Sequence, residues 1–265
     1  MKAAFLGIRH EVVEFVLSRW QASGGFGFVP SLPASVEDTY HALRILEMLL
    51  PHSESEIGEL KENPRLEAFL DRKEDKEAWS LKTAYQYLYA CGFCGYQADE
   101  AWVKRFLQNR ITAASSLSDQ YYLARIHRGF PAASRVNWAD GLMPPPMDAW
   151  ETAEDLWMQL YLHEGSPAPL HTTRDELIRW LRACQAPDGG FGGLPETTSF
   201  IENSHWCLNA LAFLGARPRF PDEARAFIFR CRTRRGGFAR KGGGAPFLYA
   251  TWHAVAALTT LRNMA

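Results

Sequence analysis

The stretch Ser35–His41, SVEDTYH, sets two carboxylates side by side with an imidazole one helical turn beyond the first. Neighbouring carboxyls cannot both ionise cheaply, so one of the pair keeps its proton to higher pH and can act as a general acid. Glu37 is the candidate acid and Asp38 its support. His41 shares a helical face with Glu37 and could orient or recharge it. The competing reading is a plain helix start, with Ser35 as N-cap and the acids favoured by the positive end of the helix dipole. A second constellation is Glu202 with His205, three residues apart, a spacing that carboxylate–histidine metal ligands use in helix bundles. His253 or His41 could join it, although a lone buried histidine is usually just hydrogen-bonded. Tyr40, Trp206, Tyr249 and Trp252 stand next to these groups in sequence.

Three other stretches invite chemistry and read better as structure. CGFCG at Cys91–Gly95 is a bare C-x-x-C, without the second ligand pair of a zinc site or the βαβ context of a redox site. It reads as a helix end. DGGFGG at 188–193 has relatives at 23–27 (SGGFG) and 235–239 (RGGFA), each lying between two helical patterns with no strand before it. A phosphate cradle needs strand, loop and helix in order, so these glycines read as turns where the chain reverses. The phenylalanine among them can plug the gap between neighbouring hairpins. The basic cluster Arg230–Lys241 reads as a solvated helix end.

The elements that must position the acids repeat along the chain. VEDTYHALRIL, IENSHWCLNAL and LYATWHAVAAL each carry a small hydroxyl residue (Thr39, Ser204, Thr251), then a ring (Tyr40, His205, Trp252), then an apolar tail at helical spacing. SLSDQYYLARI at Ser116–Ile126 is a further copy, and Trp79–Leu88 and Trp150–Leu160 are looser ones. Amphipathic segments precede most of them: EVVEFVLSRW, PRLEAFLDR, EAWVKRFLQ, ELIRWLRAC and EARAFIFRC. Before the copy at Trp150 the outer segment is missing; Pro131–Met147 is short and proline-rich, a replacement for a lost helix or a lid. Asp148, Glu151, Glu154 and Asp155 then head an acidic helix.

A helix apolar nearly all round must be buried, and an amphipathic partner would cover it from outside. About six such hairpins can close on themselves around a central cavity. The expected fold is therefore all-α, a single domain over residues 1–265 forming an α6/α6 toroid (an α/α barrel) of two concentric helix rings.

Bulk properties narrow the function classes. A net charge of −1 leaves no electrostatic footprint for nucleic acid, and no apolar run is long enough for a membrane span. The first twenty residues reach Arg9, His10 and Glu11 too early for a secretory leader. Five scattered cysteines make no disulfide framework, so a reduced, cytoplasmic protein is expected.

CQAPDGGFGGLPETTSF (Cys184–Phe200) and RWQASGGFGF (Arg19–Phe28), each with the helix after it, resemble the repeats of protein prenyltransferase β subunits and of squalene and terpene cyclases. The resemblance is specific in three repeats, looser in three, and covers nearly the whole chain. It implies an aromatic cavity that holds an isoprenoid, because ring faces stack on polyene chains and stabilise carbocations. The implied substrate-binding residues are Tyr40, Trp206, Trp252, Tyr249, His205, Glu202 and His253.

The two branches of this superfamily imply different chemistry. The transferase branch binds zinc through an Asp, a Cys two residues on, and a His on a later helix. In the matching region Glu202 has no cysteine two positions on, Cys207 lies deeper in the helix, and His253 falls three residues past the matching position at Ala250. No zinc and no other metal is therefore expected, and magnesium would enter only with a diphosphate substrate. The cyclase branch carries D-x-D-D-T at the head of an inner helix. SVEDT occupies that place, with Glu37 as the middle acid, Asp38 as the last, and Ser35 replacing the first. The resemblance implies a class II-type, protonation-initiated terpene cyclase acting on a polyprenyl substrate, with Glu37, Asp38 and His41 as catalytic residues. The alternatives are a prenyltransferase β-like subunit, or a toroid recruited for other small-molecule cyclisation or hydrophobic-ligand binding. The expected partners are a hydrophobic small molecule and a second subunit or another copy of the chain.

Overall fold

The structure is a computed structural model that describes residues 2–50, 55–72, 75–111, 116–130, 150–164 and 172–264. Among them every regular element is helical, as the repeat predicts. No described helix is long and apolar enough to cross a membrane. The proline-rich Pro131–Met147 segment and Asp148 lie outside the described residues.

The helices run in order α1 (Lys2–Leu17), α2 (Val36–Leu49), α3 (Ser55–Lys61), α4 (Pro64–Leu70), α5 (Leu81–Cys94), α6 (Glu100–Ile111), α7 (Leu117–Gly129), α8 (Ala153–His163), α9 (Arg174–Ala183), α10 (Ile201–Phe213), α11 (Pro221–Arg230) and α12 (Leu248–Asn263). Contacts divide the chain into two compact units: Arg19–Pro145, and Pro146–Ala265 together with Met1–Ser18.

In the Arg19–Pro145 unit, α5 packs between α2 and α7, with α3 and α4 against α5. CGFCG forms the last turn of α5, ended by Gly95 in the left-handed region at φ 70°. Burial pushes the Cys91 thiol up to about 11 and the Cys94 thiol to about 12, so neither is a ready thiolate. In the other unit, α10 packs between α8 and α12, while α9 lies on α10 and both α11 and α1 lie on α12. The amphipathic α9 buries Leu177, Ile178 and Leu181 and turns Arg179 and Arg182 outward. By contrast α10 and α12 bury residues on nearly every side. The acidic start of α8 is a capping box, in which Thr152 and Asp155 satisfy each other's backbone N–H groups.

Three glycine turns join an amphipathic helix to an apolar one, and all use the same bonds. Phe26, Phe191 and Phe238 are fully buried. Their N–H groups donate to Thr39 Oγ1 at 2.9 Å, Ser204 Oγ at 3.1 Å and Thr251 Oγ1 at 3.0 Å. This is the role of the hydroxyl residue that recurs in the sequence. It holds the plug thirteen residues before it. A buried amide left without such an acceptor costs about 1–3 kcal/mol.

The glycines are there for close approach. A Cβ on Gly189, whose φ is 86°, would sit 2.2 Å from the Glu223 carbonyl oxygen of α11. At Gly236 it would sit 2.3 Å from the Glu11 oxygen of α1, so α1 takes the place of an outer helix after the last turn of the chain. The turn amides are also occupied: Gly189, Gly190, Phe191 and Gly192 donate to Ala186 O, Asp188 Oδ1, Ser204 Oγ and Cys184 O. These four amides are therefore not open to cradle a phosphate.

Candidate functional site

The Gly24–Gly27 turn delivers the chain to Ser35, which caps α2. The Asp38 N–H donates to Ser35 Oγ at 3.0 Å, and Ser35 Oγ donates to Asp38 Oδ2 at 2.7 Å. Both sequence readings of SVEDT therefore meet in one place, since the capping group is hydrogen-bonded to a candidate acid. The two carboxylates then part. Glu37 is exposed and accepts from Lys82 Nζ at 2.8 Å, with half of its side-chain surface in solvent. Asp38 is half-buried, and its carboxyl is held above the usual range, chiefly by burial and further by the Glu37 charge, against the Ser35 hydrogen bond and Arg19.

His41 is buried. Burial, with the Lys82 and Arg44 charges, pushes its imidazole down to about 3, so it is neutral across the physiological range. The bond of Glu37 goes to Lys82 rather than to His41.

Below this head, Tyr40 joins a cluster of tyrosines on α2, α5 and α7. Its ring lies edge-on to Tyr85 at 5.7 Å and to Tyr89 at 5.2 Å. Tyr85 in turn meets Tyr122 at 5.8 Å. Two arginines enter the cluster. Arg44 lies 5.1 Å over the Tyr89 ring, and Arg125 lies 4.4 Å over Tyr85 while donating to the Tyr121 hydroxyl at 2.9 Å. The Arg44 Nε is buried without a hydrogen-bond partner among the described residues. Sequence reasoning missed both arginines. The available signal was a cation one turn after Tyr40 in an otherwise apolar tail.

In the other unit, the heads of α10 and α12 bring Glu202, His205, Trp206, Tyr249, Trp252 and His253 together. His205 and His253 are buried and face each other through their Nδ1 atoms at 2.8 Å. Trp206 stacks on His205 at 4.8 Å, Trp252 meets it edge-on at 5.1 Å, and Tyr249 lies 4.3 Å from His253. Asn209, one turn along α10, contacts His205 Nε2 at 2.7 Å. Sequence reasoning missed this residue too.

Glu202 is buried, and its Oε1 accepts from both Nε and Nη2 of Arg240. Its Oε2 and the indole N–H of Trp206 are buried without hydrogen-bond partners among the described residues. An acceptor and a donor left unsatisfied beside an imidazole pair are what a polar group of a ligand could complete.

The residues that would replace zinc ligands are otherwise engaged. Glu202 is tied to Arg240, and His253 is tied to His205. Cys207 is fully buried, its thiol raised well above the usual range by burial and by Cys184, and it points to the Gly192 carbonyl. Among the described residues no group of three or more His, Cys, Asp or Glu side chains converges. This donor set does not fit a zinc ion.

A family model for the prenyltransferase alpha-alpha toroid domain matches residues 5–84, 158–215 and 198–265. The matched segments take in the heads of α2, α10 and α12 and more than half of the chain. No curated protein matches it.

Proposed function

The chain belongs to the prenyltransferase alpha-alpha toroid family, and from that premise we propose that it is an isoprenoid-processing enzyme that starts a cyclisation by protonation. The observation that carries this reading is the division of labour at the head of α2. One acid, Glu37, is solvated and paired, while its neighbour Asp38 is half-buried and holds its proton more tightly than a free carboxyl. This moves the proposed acid from Glu37 to Asp38, with Glu37 raising its proton affinity and Ser35 fixing its orientation.

In the proposed step the O–H bond of Asp38 breaks as a C–H bond forms from the alkene π pair. The cation appears on the more substituted carbon. A second alkene closes the ring, and loss of a proton ends an isomerisation with no net redox change. The faces of Tyr40, Tyr85 and Tyr89 lie in the same unit as Asp38 and suit a developing cation. His41, being neutral and buried, serves as wall rather than as base. The rings of Trp206, Trp252 and Tyr249 around the histidine pair supply a second aromatic surface of the kind that binds a polyene.

The test is turnover of squalene and prenyl diphosphates in deuterated water. The expected product is a cyclic isomer with one deuterium at the initiating carbon. A product formed without deuterium, or release of diphosphate as the first event, would contradict the reading.

A second reading, a prenyl diphosphate site of transferase type, is favoured by Arg44. Its half-buried guanidinium, without a hydrogen-bond partner at Nε, could take a diphosphate oxygen. Magnesium would enter with such a substrate. Diphosphate release before ring closure, abolished in Arg44→Gln, is the outcome this reading expects.

A further inference from the structure

The loop that follows α10 is stapled along the amphipathic helix α9. At the start of α9, Arg174 donates to the Leu214 carbonyl. In its last turn, Arg182 Nε donates to the Arg217 carbonyl at 3.0 Å. Just beyond, Gln185 holds Phe220 by both backbone groups, its Nε2 donating to the carbonyl at 2.8 Å and its Oε1 accepting from the N–H at 3.0 Å. Between helix and loop lies an open groove of about 740 Å³, a size typical of small-molecule sites. Ile178 and Pro218, both buried, give it an apolar floor, and Arg179, Arg182 and Arg219 line it.

These three arginines differ from others in the same unit. Arg174, Arg225, Arg232 and Arg240 each meet a carboxylate, on Asp175, Asp222, Glu11 and Glu202. Arg179, Arg182 and Arg219 are exposed, and none has an ion-pair partner among the described residues. Asp175, the carboxylate among the lining residues, already lies 3.9 Å from Arg174. Glu176 feels the Arg179 charge, but its carboxylate accepts from the Thr173 cap. Arg179 and Arg182 stand three residues apart on one face of α9. Arg219 enters from the loop, with its guanidinium 5.0 Å over the Phe220 ring, which leaves the edge N–H groups for an acceptor.

Guanidiniums gathered in one groove without carboxylates repel one another until an anion enters. Their forked donors match phosphoryl oxygens, and their combined charge suits a diphosphate better than a single carboxylate. The pinned loop sets the walls before the ligand arrives, so little ordering is left to oppose binding. We propose that this groove binds a diphosphate, free or carried on an organic tail, through Arg179, Arg182 and Arg219. It shares no residue with the acids of α2 or with the rings at the heads of α10 and α12, so it is a site additional to the proposed active site.

The experiment is isothermal titration calorimetry of the whole chain with inorganic diphosphate and with geranyl diphosphate, without magnesium, in about 150 mM salt. Arg179→Gln and Arg219→Gln should each weaken binding at least about tenfold, the loss expected for a hydrogen bond to a charged group. Both side chains are exposed and neither hydrogen-bonds within the described residues, so weaker binding does not stand for unfolding. Arg234→Gln combined with Arg235→Gln removes two exposed charges outside the groove and should change affinity by less than about twofold. Asp175→Asn takes the carboxylate out of the groove and should tighten binding, which no loss of structure would imitate. Only the heat lost in the groove variants is counted, so binding elsewhere in the chain does not enter. Equal affinity for the two ligands assigns the groove to the free anion, and tighter binding of geranyl diphosphate assigns it to an ester whose tail lies on the apolar floor. No binding of either ligand, or equal losses in the groove variants and in the Arg234 and Arg235 variant, would overturn the proposal. Neither acid of α2 is altered, so failure here leaves the deuterium test of function untouched.

Discussion

At the heads of α2 and α10 the same bond from a phenylalanine N–H to a hydroxyl oxygen, spanning thirteen residues, sets the same register. Glu37 and Glu202 therefore occupy equivalent positions, two residues before Thr39 and Ser204. One is half-solvated and held by Lys82; the other is buried and held by Arg240. The helices also begin differently. α2 is capped by the Ser35 side chain, whereas α10 has no side-chain cap and its first N–H donates to the Arg240 carbonyl at 2.9 Å. Arg240 thus closes both the backbone and the carboxylate of the α10 head. The same difference runs about two turns deeper, where Arg44 and Asn209 stand at equivalent positions, one among tyrosines and one on an imidazole. The repeat fixes where side chains stand. Residues arriving from elsewhere in the chain decide what those side chains can do.

The largest expected effect breaks the shared plan itself. Gly189→Ala puts a Cβ against the Glu223 carbonyl oxygen at a positive φ, and should cost about 3 kcal/mol in urea unfolding. Gly193→Ala, whose Cβ would meet only the Asn203 side chain at 3.6 Å or more, should stay within about 0.5 kcal/mol. Equal losses would mean that the turn does not depend on backbone approach.

Next in size is the pH dependence set by His41. Its folded value of about 3 lies below its ordinary 6.5, so as pH falls the unfolded chain takes up a proton first. Stability is complete above the ordinary value and is lost through the window from 6.5 down to about 3. Unfolding measured at about pH 7.5 and about pH 4.5 should show a loss on the order of 2 kcal/mol that His41→Phe removes. A variant with the same slope as wild type would contradict this assignment.

The two glutamates then sharpen the comparison. Glu202→Gln removes the buried partner of Arg240 and should destabilise by about 1–2 kcal/mol, since Arg240 itself remains half in water. Glu37→Gln should change stability by less than about 0.5 kcal/mol. Thermal unfolding of the two variants side by side is enough to check the order.

Much of this fold was legible in the sequence because the turn is encoded locally. Thr39, Ser204 and Thr251 stand a constant distance after Phe26, Phe191 and Phe238, and the apolar tails that follow them are periodic. The site was legible only in part. SVEDT names its acids, yet the partner that pairs with Glu37 is Lys82, forty-five residues on. Arg240 lies thirty-eight residues beyond Glu202 and determines its charge environment. Arg44 and Asn209 escaped notice because the third copy has Ala256 at that position, so the repeat offers no pattern there. A polar residue inside an apolar helix gains its meaning from the neighbouring helix, and that partner is invisible to periodicity.

The central claim is that the head of α2 divides proton donation and charge between two adjacent acids. It is tested most directly by comparing product formation from one accepted polyene in wild type, Asp38→Asn and Glu37→Gln. Loss of a general acid typically costs about 10²–10⁴-fold, so Asp38→Asn should fall by at least about a hundredfold while Glu37→Gln stays within about tenfold. Full turnover in Asp38→Asn, or a larger loss in Glu37→Gln, would contradict the account.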